Sequence, residues 1–171
     1  LQSSETIRDV FCLTQQALGI TEDEWVLLVQ TLGRIRDIQS HRLWCTAGSR
    51  EFRPFQAIAD ALKNARSLRA LALYLDSPEI PSDSSGLTAL ANALRERTTL
   101  QYFTWLECGS RRIEVAQSTA VDPVLWAWPA CHHLRTVAIK TDRASADAMN
   151  NLLQLQSVRT LYLVLLNMDQ W

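Results

Sequence analysis

Residues 67–74 have the sequence Ser-Leu-Arg-Ala-Leu-Ala-Leu-Tyr, which places leucine at positions 68, 71 and 73. The alternation at the end of this stretch predicts a short strand with one buried face. The same L-x-x-L-x-L spacing returns three more times, as Leu100, Phe103 and Trp105, as Leu134, Val137 and Ile139, and as Val158, Leu161 and Leu163. A weaker copy has Ile35 and Ile38, with Ser40 in the third place. Five copies, which begin 33, 32, 34 and 24 residues apart, indicate an internal repeat.

A second apolar pattern precedes each copy at a fixed distance. Six residues before the first apolar position stand Val29, Leu62, Leu94, Trp128 and Leu152, and nine residues before it stand Val26, Ala59, Ala91, Leu125 and Met149. Spacings of three and four residues place side chains on one face of a helix. Each unit is therefore predicted to be a helix, a tight turn and a short strand.

The predicted helices have recognisable ends. Thr21 and Glu24 match a capping box, and Ser145 is placed to cap the last helix. Asp122 followed by Pro123 predicts an N-cap with proline in the first helical position. Pro129 is expected to end the fourth helix early, because proline cannot donate the helical hydrogen bond.

These segments, which cover roughly residues 21–168, resemble a leucine-rich repeat protein, and the helix-plus-strand unit is similar to the ribonuclease-inhibitor class. The resemblance implies an α/β solenoid of about five helix-strand units, with a parallel sheet on one face and helices on the other. We expect residues 21–171 to form this single domain. Residues 1–20 are predicted to be an N-terminal flanking or capping helix with Ile7, Val10, Phe11 and Leu18 on its apolar side. Because the chain lacks an initiator Met, we expect it to be a fragment of a longer protein.

Composition excludes several classes of function. The 171 residues are 47% hydrophobic and 20% charged with a net charge of -1, which is ordinary for a globular domain. Near-neutral charge disfavours binding to nucleic acid or an anionic membrane. No apolar run is long enough to span a bilayer. The cysteines (Cys12, Cys45, Cys108, Cys131) are far apart in the sequence, and we interpret them as reduced thiols of a cytoplasmic or nuclear protein.

The face of the sheet that points away from the helices is the predicted function-bearing surface. Every tyrosine of the chain falls at an outward strand position, and tyrosine is enriched in protein interfaces. A preference of tyrosine for strands is the simpler explanation of the same pattern. The predicted partner-binding residues are Tyr74, Tyr102, Thr104, Tyr162, His41 and Lys140 on the sheet, and Trp126 on a helix.

We therefore predict a protein–protein interaction module that binds a protein or peptide through the exposed sheet face. The alternative is a structural segment whose sheet face or C-terminal edge mediates self-association into a homo-oligomer. An apolar edge at the end of a repeat array favours that alternative, since such arrays need polar caps.

The sequence offers little material for catalysis. Cys131, His132 and His133 are adjacent, but no carboxylate is spaced to orient either histidine. Together with Cys108 they are chemically suited to zinc, yet the spacing matches no standard zinc pattern. No glycine-rich phosphate-binding motif occurs. The prediction is a protein without enzymatic activity, cofactor or bound metal.

Overall fold

The computed structural model describes residues 9–12, 20–35, 38–45, 53–75, 84–107, 122–141, 144–154 and 156–165. Within these residues, six strands alternate with five helices. The strands are β1 (Asp9–Cys12), β2 (Ser40–Cys45), β3 (Ala70–Leu75), β4 (Tyr102–Glu107), β5 (Thr136–Thr141) and β6 (Thr160–Leu165). The helices are α1 (Glu22–Arg34), α2 (Pro54–Asn64), α3 (Ser84–Glu96), α4 (Asp122–Ala127) and α5 (Ala146–Leu153).

The six strands form one parallel sheet in the order β1-β2-β3-β4-β5-β6. Each strand pairs with the next strand along the chain, so every unit adds one strand to the same growing edge. The register places Leu71 beside Phe103, and Phe103 beside Val137. The repeat spacing from the second unit onward thus predicted the true strand register. The fold is the expected α/β solenoid of leucine-rich-repeat type, and the sheet is open.

The core lies between the sheet and the helices. The inward side chains of β3, such as Leu71, Leu73 and Leu75, are fully buried, and the alternate residues are only partly buried. Two aromatic contacts join neighbouring units: the rings of Phe55 and Trp105 stack with their centroids 5.6 Å apart, and Phe103 meets Trp128 edge to face at 5.2 Å. Such pairs contribute about 0.5–1.5 kcal/mol beyond their buried area.

The same backbone hydrogen bond occurs in the turn between helix and strand of three units. The amide of Leu68 donates to the carbonyl of Ala65, and the amide of Leu134 donates to the carbonyl of Cys131. The amide of Leu100 makes the same bond to Arg97. The first leucine of each repeat therefore fixes the same tight turn in three consecutive units.

Most predicted helix ends are confirmed. Thr21 and Glu24 form the capping box, and the Ser145 hydroxyl accepts from the amide of Ala148. The α4 helix ends at Ala127, and a 3-10 turn (Trp128–Ala130) follows it as expected from Pro129. The N-cap prediction for Asp122 is wrong, because Asp122 is the first residue of the helix itself. Its buried carboxylate instead accepts from the amide of Ser145, 2.9 Å away.

The predicted register of the first unit is wrong by three residues. His41, rather than Ile38, stands beside Leu71, and Leu43 stands beside Leu73. Ile38 takes the place that Leu68 holds in the next unit and is buried. Because side chains alternate between faces, a shift by an odd number of residues exchanges the two faces of β2.

The N-terminal prediction is also wrong where the structure describes it. Residues Asp9–Cys12, expected within the flanking helix of residues 1–20, form β1 and pair with Ser40–Leu43 of β2. A short apolar run has no period that separates a strand from a buried helix segment, so pairing with β2 decides the outcome. The rest of 1–20 lies outside the described residues, and its role as a flanking segment stays a prediction.

Candidate functional site

The candidate site is the outward face, which we define as the outward positions of β2 to β6. Helices cover the opposite face of the sheet, so these side chains have no layer of secondary structure over them among the described residues. The positions are Ser40, Arg42 and Trp44 in β2, Ala70, Ala72 and Tyr74 in β3, Tyr102, Thr104 and Leu106 in β4, Thr136, Ala138 and Lys140 in β5, and Thr160, Tyr162 and Val164 in β6. They form three rows that cross the sheet.

Two tyrosines of this face have strongly exposed side chains. Tyr102 begins β4 and is 49% exposed, and Tyr162 in β6 is 62% exposed. Tyr74 is partly buried and has contacts of its own. All three tyrosines therefore lie on the outward face, as predicted. Among the tyrosines, Tyr102 and Tyr162 are the more exposed.

The charge of the outward face is positive or zero at every position. Arg42 and Lys140 are its charged residues, and no acidic residue stands at any outward position of β2 to β6. Thr104 lies between Ala72 and Ala138 in the middle row and is partly buried. The face combines aromatic rings, hydroxyl groups and small residues, a composition suited to protein contact.

His41 is not part of this face, which corrects the prediction. It points into the core and is only 6% exposed. Its Nδ1 atom has no hydrogen-bond partner, and the ring borders a cavity of about 10 Å³ whose other lining residues are all apolar. Burial lowers the pKa of His41 to about 4, because the charged ring would lose its hydration there.

Trp126 lies in the helical layer, away from the tyrosines. Its side chain is 53% exposed. The preceding unit approaches its backbone, where Arg95 of α3 donates to the Trp126 carbonyl oxygen at 3.5 Å. A single partner that covers the outward face would therefore not reach Trp126 by extending along the sheet.

A buried polar cluster was missed by the sequence analysis. Glu107 ends β4 at an inward position, where its carboxylate accepts from the Trp105 indole at 3.1 Å and from the Thr141 hydroxyl at 2.7 Å. Glu107 and Thr141 are both buried and stand where Leu75 stands in β3. Continuing the alternation two residues past Trp105 and Ile139 would have revealed polar residues at core positions.

The adjacent residues Cys131, His132 and His133, which the sequence disfavours as a catalytic site, differ in burial. Cys131 is buried and its thiol donates to the carbonyl oxygen of Leu94 at 3.4 Å, whereas His132 and His133 are exposed in the following turn. Burial raises the pKa of the Cys131 thiol to about 11, which keeps it protonated at neutral pH. Cys108 lies outside the described residues, and among the residues that are described no group of three metal-ligating side chains occurs.

Comparison with known proteins supports the class of fold. No family model and no curated protein matches the chain. A solved structure of the tropomodulin C-terminal domain from Caenorhabditis elegans is similar, with a TM-score of 0.59 and 16% sequence identity over 90% of this chain and 85% of that chain. At this identity the likeness concerns the fold alone. The class defined by sheet and helices is thus a leucine-rich-repeat-like α/β module. Within the described residues, no helix is long and apolar enough to cross a membrane.

Proposed function

We propose that this chain is a non-catalytic protein-binding module that engages a protein or peptide partner through the outward face. The observation that carries the proposal is the pair Tyr102 and Tyr162, which are half and more than half exposed on a sheet whose other face is packed. The tropomodulin C-terminal domain shares the fold of this chain. The buried free thiols Cys45 and Cys131 support a cytoplasmic or nuclear location.

The two tyrosines are suited to anchor a partner. A tyrosine ring contributes a large apolar area and a hydroxyl group with only two rotatable bonds to fix. Thr104, Thr136 and Thr160 surround the rings with hydroxyl groups that donate or accept hydrogen bonds. Lys140 adds a cation at the far end of β5 from Tyr102. We expect Tyr102 and Tyr162 to provide most of the affinity and the threonines to provide orientation.

The test is selection of short random displayed peptides on the native chain, followed by binding measurements with the double variant Tyr102→Ala/Tyr162→Ala. Loss of two exposed aromatic anchors is expected to weaken binding at least about tenfold. The matched control is Trp126→Ala, which removes an equally exposed aromatic ring from the helical layer. Retained binding in the double variant, or loss in Trp126→Ala instead, would contradict the proposal.

The second candidate is self-association through β6, and a specific observation favours it. Leu161 and Leu163 occupy inward positions that are buried in β3, β4 and β5, yet each is 37% exposed. Light scattering over a range of concentrations tests it: the native chain would double its mass, and Leu163→Lys would abolish the change. The matched control is Leu27→Lys, at an exposed leucine of α1 on the other side of the solenoid.

A further inference from the structure

The edge of the sheet where the strands begin carries a row of arginines. Arg69, Arg135 and Arg159 each immediately precede a strand, and Gln101 holds the equivalent position before β4. We define Arg69, Arg135 and Arg159 as the arginine row. All three side chains are exposed.

Backbone hydrogen bonds hold the arginine row in line. The Arg69 carbonyl oxygen accepts from the amide of Gln101 at 2.8 Å, and the Gln101 carbonyl oxygen accepts from Arg135 at 2.8 Å. The Arg135 carbonyl oxygen in turn accepts from Arg159, also at 2.8 Å. Adjacent strands lie about 4.8 Å apart, so Arg135 and Arg159 are immediate neighbours.

The surroundings of the arginine row are basic. The described turns at 65–69, 97–101, 131–135 and 156–159 contain five arginines and no acidic residue. Of the acidic residues that the structure describes, Glu96 and Asp60 are closest in sequence to these turns; both lie in helices, and Asp60 is paired with Lys63 at 2.8 Å. The arrangement leaves like charges side by side, which costs stability rather than adding to it.

One arginine of these turns has a structural role that the row does not share. Arg97 donates from Nη2 to the carbonyl oxygen of Lys63 at 3.0 Å and so satisfies the end of α2. Among the described residues, no side-chain hydrogen bond or ion pair engages Arg69, Arg135 or Arg159. No stabilising side-chain contact among the described residues therefore explains why arginine stands at these three positions.

We propose that the arginine row binds an acidic segment of the protein partner, which continues from there onto the outward face. Tyr102 links the two surfaces, since it follows Gln101 and its amide donates to the Arg69 carbonyl oxygen at 3.0 Å. Arginine binds carboxylates through two parallel hydrogen bonds, and no outward position would repel such a segment. This inference rests on the proposed function and specifies the chemistry of its partner. The overall charge of -1 favours an acidic peptide over nucleic acid, which requires a broad basic surface.

The direct test uses a fluorescently labelled oligoglutamate peptide as the probe and measures anisotropy at low and high salt. The native chain is expected to bind it more tightly than an oligolysine peptide of equal length, and salt is expected to weaken the binding. Arg135→Glu is expected to lower the affinity about tenfold or more, as is Arg159→Glu. Arg53→Glu is the matched control, because it makes the same charge change at an exposed position before α2.

The outcomes separate this inference from the proposed function. Equal binding of oligoglutamate and oligolysine, or full binding by Arg135→Glu, would overturn the inference. Tighter binding of single-stranded DNA than of oligoglutamate, lost in Arg135→Glu, would assign the row to nucleic acid and also overturn it. Displayed peptides selected on the native chain could depend on Tyr102 but carry no excess of acidic residues. In that case the proposed protein-binding function is supported, and the inference of an acidic partner segment is wrong. If no peptide is selected, both fail.

Discussion

Gly33 in α1 lies directly against the backbone of Ala61 in α2. A Cβ atom built at Gly33 would stand 2.6 Å from the Ala61 carbonyl oxygen and 2.7 Å from its Cα atom. Real Cβ atoms do not approach backbone this closely, so the two helices pack at a distance that only glycine permits. The first two units are thereby held against each other where Trp25 and Val29 enter the core.

The substitution Gly33→Ala is expected to destabilise the domain by about 1–2 kcal/mol. Alanine favours a helix over glycine by about 1 kcal/mol, but separating α1 from α2 costs more in lost packing. Urea unfolding measures the change, with Leu27→Ala on the exposed side of α1 as a near-neutral control. A higher unfolding midpoint for Gly33→Ala would show that the two helices are not in close contact.

His41→Leu is expected to stabilise the domain at neutral pH by about 1–2 kcal/mol. The substitution removes a buried ring nitrogen without a partner and supplies the aliphatic group found at Leu71. Urea unfolding at pH 7 measures the gain. An unchanged or lower midpoint would mean that the histidine ring fills its site better than leucine does.

We expect His41 also to make the folded chain less stable at acidic pH. Its pKa is lowered to about 4 in the folded chain, whereas the unfolded chain protonates near its ordinary value of 6.5. The unfolded state therefore binds the proton first, and the native chain loses about 2–3 kcal/mol as the pH falls from 6.5 to 4. Unfolding measured across this range should show less loss in both His41→Leu and His41→Gln. His41→Gln abolishes the titration but keeps a polar side chain. It therefore separates the loss of titration from the gain of an apolar side chain in His41→Leu. Equal acid sensitivity in all three chains would contradict the prediction.

Thr141→Val is expected to destabilise the domain by about 1.5–3 kcal/mol. Valine keeps the shape of the buried threonine but removes the hydroxyl that donates to the Glu107 carboxylate at 2.7 Å. Hydrogen bonds to charged groups are worth more than neutral ones. Thr104→Val, on the outward face of β4, is the control and should change the free energy of unfolding by less than about 0.5 kcal/mol. Equal effects of the two substitutions would show that the hydrogen bond between Thr141 and Glu107 does not contribute to the stability of the domain.

Sequence periodicity was sufficient for the units that contain regular leucines. Leu71, Phe103, Val137 and Leu161 all stand at the predicted inward position, so the outward tyrosines followed by alternation. In the first unit a histidine replaces the central leucine, and Ile35 and Ile38 match the repeat spacing three residues too early. The arginine row also had a signal in the sequence, because Arg69, Arg135 and Arg159 each follow the first apolar residue of their repeat copy. Arg135 and Arg159 are 24 residues apart in the chain, and the register of β5 and β6 makes them neighbours.

Cys131 is expected to react slowly with thiol reagents in the folded chain. Its thiol is buried against the carbonyl oxygens of Leu94 and Ala127, and a pKa of about 11 leaves very little thiolate at neutral pH. Labelling followed by peptide mass spectrometry measures its rate, with the same chain in urea as the control. Reaction in urea should be faster by at least about a hundredfold, because unfolding restores both exposure and the ordinary pKa. Rapid labelling in the folded chain would instead show an accessible, activated thiolate beside His132, and would favour a catalytic role over the binding module.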